Sequence, residues 1–350
     1  MLKWFDGHLD LAMIAQTGRD MGATLERCGG SQLPAAITFE SLARGRVMGA
    51  LATVFVQRRI LPEQADEDHK PVNEAWCYDD VEEAHRACLA QLAIYREWAE
   101  AGLIRVETQN SKLKTQNEAL RVALLLEGAE GVRTVDDLQM FYDEGVRVVG
   151  LTWAEGSRWA GGDNTGGDIT ADGKRLVAAI DELNMIHDVS HLSERAFWTL
   201  LDEARGPVVA SHSNCRALLP GKKHPERHLS DEQIKALAAR GSLIGINLFA
   251  KFIVSGEGAG GAPARPGLGD LMKHVMRMEQ LMGRRDLLAL GSDLDGGFDA
   301  TQTPAEITEP THYGRLAEAL SGAGWSDAEV AGFALGNWRR VLGGVGVELG

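Results

Sequence analysis

Eight short apolar runs, most of them rich in β-branched residues and followed by a segment with helical spacing, constrain this chain more than any other feature. They are Trp4 to Asp10, Val47 to Gln57, Arg121 to Gly128, Val146 to Trp153, Met185 to His191, Pro207 to Asn214, Ser242 to Leu248, and Leu287 to Gly296. Alternation of this kind implies parallel strands joined by crossovers, either in a closed barrel or in an open doubly wound sheet. Helix starts are marked between the runs. Ser193, Ser230 and Ser326 stand where N-caps are expected, and Ser230 with Gln233 and Ser326 with Glu329 form capping-box pairs. Val81, Ala84, Cys88, Leu89, Leu92 and Tyr95 trace one face of a helix that Gly102 can end.

The polar residues choose between barrel and open sheet. An open sheet gathers ligands near one switch point, whereas a barrel brings the carboxyl ends of all its strands to one mouth. Metal-ligand types close runs one, three, five, six and eight, and Trp153 closes the fourth, so a closed (β/α)8 TIM barrel is expected, as a single domain over 1–350 ending in helices. The stretches 11–36 and 58–80 read as loops inserted after strands one and two, and Gly256 to Gly269 as a loop after strand seven.

Composition removes several classes of function. With 44% apolar and 25% charged residues the chain can bury a large core, and a net charge of −14 disfavours nucleic acid or an anionic membrane surface as partner. Cysteines 28, 77, 88 and 215 form no CxxC pair and read as reduced, buried thiols. A strand-like segment begins at Trp4 without a signal peptide's apolar stretch, and no window is apolar enough to span a membrane, so a cytoplasmic location is expected. Gly-x-x-x-x-Gly-Lys-Ser/Thr and Gly-x-Ser-x-Gly motifs are absent, and the glycines at 156, 161, 162, 166 and 167 lack the spacing of a dinucleotide site.

Chemistry concentrates at the run ends. His8 and Asp10 are two residues apart and can bind one ion together. Glu127 follows Val122-Ala-Leu-Leu-Leu126, so its buried charge needs either a cation or the backbone amides of 128–131. His191 and His212 end consecutive runs, placing two imidazoles on neighbouring strands. Asp293, in Gly291-Ser-Asp293-Leu-Asp295-Gly, faces the same mouth as ligand or general base, while Asp295 can satisfy the turn at Gly296 and Gly297. His187 lies deeper in its strand, as a core residue or behind the ligands with Asp188.

Together, Asp6-Gly-His8-Leu-Asp10, Leu126-Glu127-Gly, Asp188-Val-Ser-His191, Ser211-His212-Ser, Gly291-Ser-Asp293-Leu-Asp295-Gly and Gly336-Asn-Trp resemble the membrane dipeptidase family of zinc metallopeptidases over essentially the whole chain. The resemblance implies two Zn2+ per chain: His8 and Asp10 on one, His191 and His212 on the other, and Glu127 bridging them with a hydroxide nucleophile. It implies Asp293 as acid/base, Arg227 gripping the terminal carboxylate of a dipeptide, tolerance for a D-residue at the C-terminal position, and a homodimer. Two positions depart from the pattern. His228 replaces the usual Asn after Arg227, and Trp153 replaces a histidine that contacts substrate, with Arg158 nearby as a substitute donor. A different amide or lactone hydrolase of the metal-dependent barrel type, or a metal-binding protein with little activity, are the competing readings.

Overall fold

The computed structural model describes residues 2–62, 74–107, 119–256 and 264–349. Within them the eight runs become eight strands: β1 Trp4–Leu9, β2 Val47–Phe55, β3 Leu120–Glu127, β4 Val146–Gly150, β5 Ile186–Asp188, β6 Val208–Ala210, β7 Leu243–Ile246 and β8 Leu288–Leu290. They neighbour one another in chain order, each adjacent pair parallel. Crossover helices cover the outside, among them Val81–Glu100, Ala171–Glu182, Glu194–Glu203, Asp231–Arg240 and Leu268–Met282. The serine caps form as expected: Ser193, Ser230 and Ser326 accept from the N–H groups of Ala196, Gln233 and Glu329.

The seam between β8 and β1 turns the sheet into a nearly closed barrel. The Asp293 N–H donates to the His8 carbonyl (3.1 Å), and the Ser292 N–H donates to Asp6 Oδ1 (2.8 Å), whose other oxygen accepts from the Tyr313 hydroxyl (2.7 Å). Inside, Phe5, Leu51, Leu125, Val148, Ile186 and Val209 pack on one another, and Trp338, Leu342, Val345, Val347 and Leu349 from the C-terminal segment plug the far end. Trp338 also donates its indole N–H to the Leu290 carbonyl at 2.8 Å. The barrel is therefore a packed core open at one mouth, where the strands' carboxyl ends meet.

Three details were outside the expectation. A short strand, Ile104–Val106, pairs parallel with Leu120–Val122, along the flank of β3 that β4, which starts opposite Leu124, leaves free. The pairing of β1 with β2 shifts register between Asp6 and Leu9, and this irregularity lets both Phe5 and His8 face the barrel interior, which strict alternation forbids. The stretch expected as a plain loop after strand one contains the helix Leu11–Gln16. Much of the loops expected at 58–80 and 256–269 lies outside the described residues; the ends of the first are tied by Gln57–Arg58 pairing with Cys77–Tyr78. All four cysteines are buried and free of disulfides, and among the described residues no helix is long and apolar enough to cross a membrane.

Gly7 shows how tightly the seam is built. A Cβ there would stand 2.3 Å from Trp338 Cζ2 and 2.9 Å from the Leu290 carbonyl oxygen, and neither a buried indole nor backbone can withdraw. Gly7→Ala is expected to cost about 1–3 kcal/mol, the usual penalty of overpacking, seen as a lower urea midpoint at unchanged slope. An unchanged midpoint would show that the plug does not hold the seam.

Candidate metal centre

The residues flagged at the run ends converge at the mouth. His8 lies in β1, and Asp10 one residue beyond its end, where its Oδ1 accepts a short hydrogen bond from the Thr53 hydroxyl of β2. Glu127 is the last residue of β3, paired in register with Phe55. His191 and His212 stand in the loops that leave β5 and β6, and Asp293 follows β8. His191, Asp293 and Asp295 adopt left-handed backbone (φ 67°, 63° and 61°), a conformation costing about 1–3 kcal/mol at a non-glycine residue. Gly296 is required here, because a Cβ would stand 1.9 Å from Asp293 Oδ1 and 2.9 Å from Asp10 Oδ2.

Glu127 is the hub. Its Oε2 lies 3.3 Å from His8 Nε2, and its Oε1 lies 3.2 Å from His191 Nε2 and 3.6 Å from His212 Nε2. The alternative of backbone amides at 128–131 is not what surrounds it. His191 Nε2 and His212 Nε2 face each other at 3.1 Å, and the rings of His8 and His212 stack with centroids 3.6 Å apart. Ligand atoms of His8, Glu127 and His212 lie within 4.8 Å of one another, and so do those of His8, Asp10 and Asp293.

Burial and charge oppose each other throughout this cluster. Burial alone would raise Glu127, but the charge of His8 and the contacts from His191 and His8 hold it well below the usual carboxylate range. Burial would lower His8, yet Glu127, Asp10 and Asp293 push it up to about 10. Asp10 and Asp293 are both raised, first by burial and then by neighbouring carboxylates, with His8 pulling the other way. His212 is driven well below its ordinary value by burial and by the charges of His8, Arg227 and His191. Three buried carboxylates thus draw positive charge inward, and a divalent cation answers that demand as a proton on His8 does. His8 Nε2 is buried without a hydrogen-bond partner, and imidazole nitrogens with carboxylate oxygens are the donor set of Zn2+.

Outer partners aim the histidines. Asp163 Oδ2 lies 3.0 Å from His191 Nδ1, and Ser211 Oγ lies 2.7 Å from His212 Nδ1 while donating to Asp188 Oδ2 at 2.5 Å. Both contacts favour Nδ1–H and leave Nε2 pointing at Glu127. Asn247, past β7, donates from Nδ2 to Asp293 Oδ2 at 2.9 Å. Sequence reasoning missed Asp163, Ser211, Thr53 and Asn247. Asn247 carried a readable signal, a polar residue ending the buried seventh run, while Asp163 sat in a glycine-rich stretch whose course no local pattern shows.

The remaining candidates separate. Arg227 is buried beside the cluster; its Nη2 donates to the His212 carbonyl (2.9 Å), its Nε lies 3.9 Å from Asp163, and its guanidinium sits 4.9 Å from the Phe252 ring centroid. Trp153 lines the same cavity, its ring 5.8 Å from that of His191 and 5.4 Å from that of Phe55, and its backbone N–H donates to Glu130, a carboxyl that burial pushes up to about 8. Arg158 corrects the expectation: it is exposed, stacks on Trp159 at 4.1 Å and lines a different surface depression, because its loop turns away from the mouth. Asp295 does more than close a turn, since it forms a buried ion pair with Arg19 and accepts from the N–H groups of Ala36 and Ile37, clamping the segment after β1 over the mouth. His187 pairs with Asp181 on the adjacent helix at 2.8 Å, away from Asp188. His228 is buried against Phe252, and burial with neighbouring cations pushes it well below its ordinary value.

A nearly closed parallel α/β barrel with imidazoles and carboxylates converging at its C-terminal mouth defines a metal-dependent barrel hydrolase. Residues 1–347 match the sequence profile of the membrane dipeptidases, peptidase family M19, and the chain belongs to that family. A Klebsiella pneumoniae protein described only by its place in the pqqA 5' region is 32% identical over 265 residues, which cover 72% of this chain and 93% of that one. Dipeptidase 3 of Macaca fascicularis is 25% identical over 279 residues, 76% of this chain and 53% of its own length, so the match spans about half of that protein. The fold matches a crystal structure of a metallo peptidase from Rhodobacter sphaeroides, liganded with a phosphinate mimic of the dipeptide L-Ala-D-Ala, with a TM-score of 0.79, 22% identity, and 98% and 99% of the two chains covered.

Asp163 tests the aiming of His191. Asp163→Ala is expected to weaken metal affinity about 10–100-fold, measured with added Zn2+ as the probe by competition with a chromogenic chelator, with the circular dichroism spectrum unchanged. Unaltered affinity would show that His191 needs no partner on Nδ1.

Proposed function

We propose that this chain is a binuclear zinc dipeptidase that hydrolyses the peptide bond of L-Xaa-L-Xaa and L-Xaa-D-Xaa dipeptides. The observation that carries the reading is one cavity of about 610 Å³ lined by Asp10, Glu127, His191, His212 and Asp293 together with, among the described residues, a single Lys or Arg side chain, Arg227. A guanidinium fork fits a carboxylate's two oxygens, and the adjoining cluster fits metal ions, so a short peptide's terminus and its scissile carbonyl can be held at once. The phosphinate dipeptide mimic bound to the Rhodobacter sphaeroides relative supports both the dipeptide and the D-configured second residue.

In this reading His8 and Asp10 would hold one zinc ion and His191 and His212 the other. Glu127 would be shared between the two, a role supported by its Oε2 facing His8 and its Oε1 facing the other two imidazoles. Zinc bound there supplies Lewis acidity toward the carbonyl and a water acidified enough to ionise near neutral pH. Asp293 handles the proton. Burial raises its carboxyl, Asn247 occupies Oδ2, and Oδ1 accepts the proton of the attacking water and returns it to the leaving amine nitrogen. Trp153 walls the site beside His191 and offers one N–H donor and no charge, so the carbonyl oxygen receives less support than from a histidine, and Arg158, which lines a different surface depression, adds none. Four buried thiols without disulfides fit a reducing compartment such as the cytoplasm.

The test begins with zinc per chain after purification, followed by a screen of L,L- and L,D-dipeptides. About two zinc ions and cleavage of dipeptides are expected; zinc near zero, or cleavage of longer peptides but not of dipeptides, overturns the reading. Asp293→Asn is expected to keep its zinc while kcat falls about 10²–10⁴-fold, the range of general acid–base catalysis. A rate within twofold of the parent would remove Asp293 from the proton path.

A further inference from the structure

The cavity draws its walls from two opposite sides of the barrel. In a ring of eight strands in chain order, the loops after β2 stand across the axis from those after β6. Arg227 follows β6, and Phe249 and Phe252 follow β7. Met13 and Gln32 follow β1, while Gln57, Glu74 and Trp76 follow β2.

The two walls differ in chemistry. On the Arg227 side the surface is aromatic: Phe252 lies 4.9 Å from the guanidinium and 4.9 Å from Phe249, which stacks on buried Phe298 at 4.4 Å. A peptide carboxylate on Arg227 therefore sets the C-terminal side chain against phenyl rings. The rest of the substrate must cross the metal centre toward the opposite wall. Among the described residues there, Glu74 is the one lining carboxylate outside the trio Asp10, Glu127 and Asp293, Gln32 and Gln57 contribute amides, and no lining residue on that side is a cation. Met13 and Trp76 add apolar surface beneath, suited to the aliphatic stem of a long side chain whose charged head reaches outward.

Building on the dipeptidase reading, we infer that the site selects dipeptides with a basic N-terminal residue and an aromatic or large apolar C-terminal residue. The order of the residues matters as much as their identity. Reversal places an ammonium against Phe249 and Phe252 beside the Arg227 cation, and an apolar side chain against exposed Glu74. Because Glu74 is exposed, its attraction for the basic side chain is screened by salt.

The experiment compares kcat/KM of the zinc-loaded protein for Lys-Phe, Phe-Lys, Glu-Phe and Lys-Ala. Lys-Phe is expected to exceed each of the others at least about tenfold, equivalent to 1.4 kcal/mol, and its advantage over Glu-Phe should shrink at high salt. Glu74→Lys, an exchange at an exposed position that does not threaten folding, should invert the preference between Lys-Phe and Glu-Phe. Phe252→Ala should narrow the gap between Lys-Phe and Lys-Ala. The same order is expected in Kd for phosphinate analogues of Lys-Phe and Phe-Lys. Equal cleavage of Lys-Phe and Phe-Lys, or a Glu74→Lys protein with the parent's preferences, overturns this inference while leaving the dipeptidase reading standing. Cleavage of no dipeptide in the panel overturns that reading and this inference with it.

Discussion

The carboxylate of Glu127, buried at the barrel mouth among three imidazoles, is the interaction on which the mouth of this protein depends. It ends an apolar strand, so nothing local solvates it, and two further carboxylates, Asp10 and Asp293, are buried close by. Such a group is tolerable only where positive charge is brought to it, and His8 from β1 with His191 and His212 from the loops after β5 and β6 come together to do so. The barrel's closure is what makes that meeting geometrically available. Its cost is carried by the packed interior beneath, from Phe5 to Val209, and by the Trp338 plug.

Precision at the mouth comes from the layer behind the cluster. His191 and Asp293 sit in left-handed backbone, which persists only where the surroundings over-determine it. Asp163 fixes the imidazole of His191, Ser211 relays Asp188 to His212, and Asn247 holds one oxygen of Asp293. Arg227 joins this layer to the cavity, since it touches the His212 carbonyl on one side and approaches Asp163 on another. The cavity's arginine and the groups that orient the histidines are thus parts of one connected arrangement.

The segments inserted after β1 and β2 convert an open barrel mouth into a cavity with two unlike walls. The buried pair Arg19–Asp295 anchors the first insertion, with Arg19 also donating to the carbonyls of Ser31 and Gln32 at 2.6 and 3.0 Å. A rim built this way can change its lining residues without disturbing the cluster below, which separates selectivity from the metal chemistry.

Much of this was legible in the chain itself. Apolar runs with β-branched residues, serine caps and polar residues closing the runs are local signals, and each states a local physical need: a buried strand, a helix start, a charge that must be compensated. His8, Asp10, Glu127, His191, His212 and Asp293 were singled out as candidates from those needs, while their pairing and the part of Asp293 as a base came from the resemblance to the dipeptidases. The irregularity in β1 that turns His8 inward, the pairing of His187 with Asp181, the clamp of Asp295 on Arg19 and the exile of Arg158 to the outer surface were not legible. Each depends on where a distant segment runs. Asp163 lies 28 positions from the histidine it orients, and Arg19 lies 276 from the aspartate it neutralises. What the sequence by itself determined was which side chains must be buried at strand ends and how the strands alternate with helices. Only the closed barrel decided which of them touch, because contact across its mouth is set by the ring of strands and not by spacing along the chain.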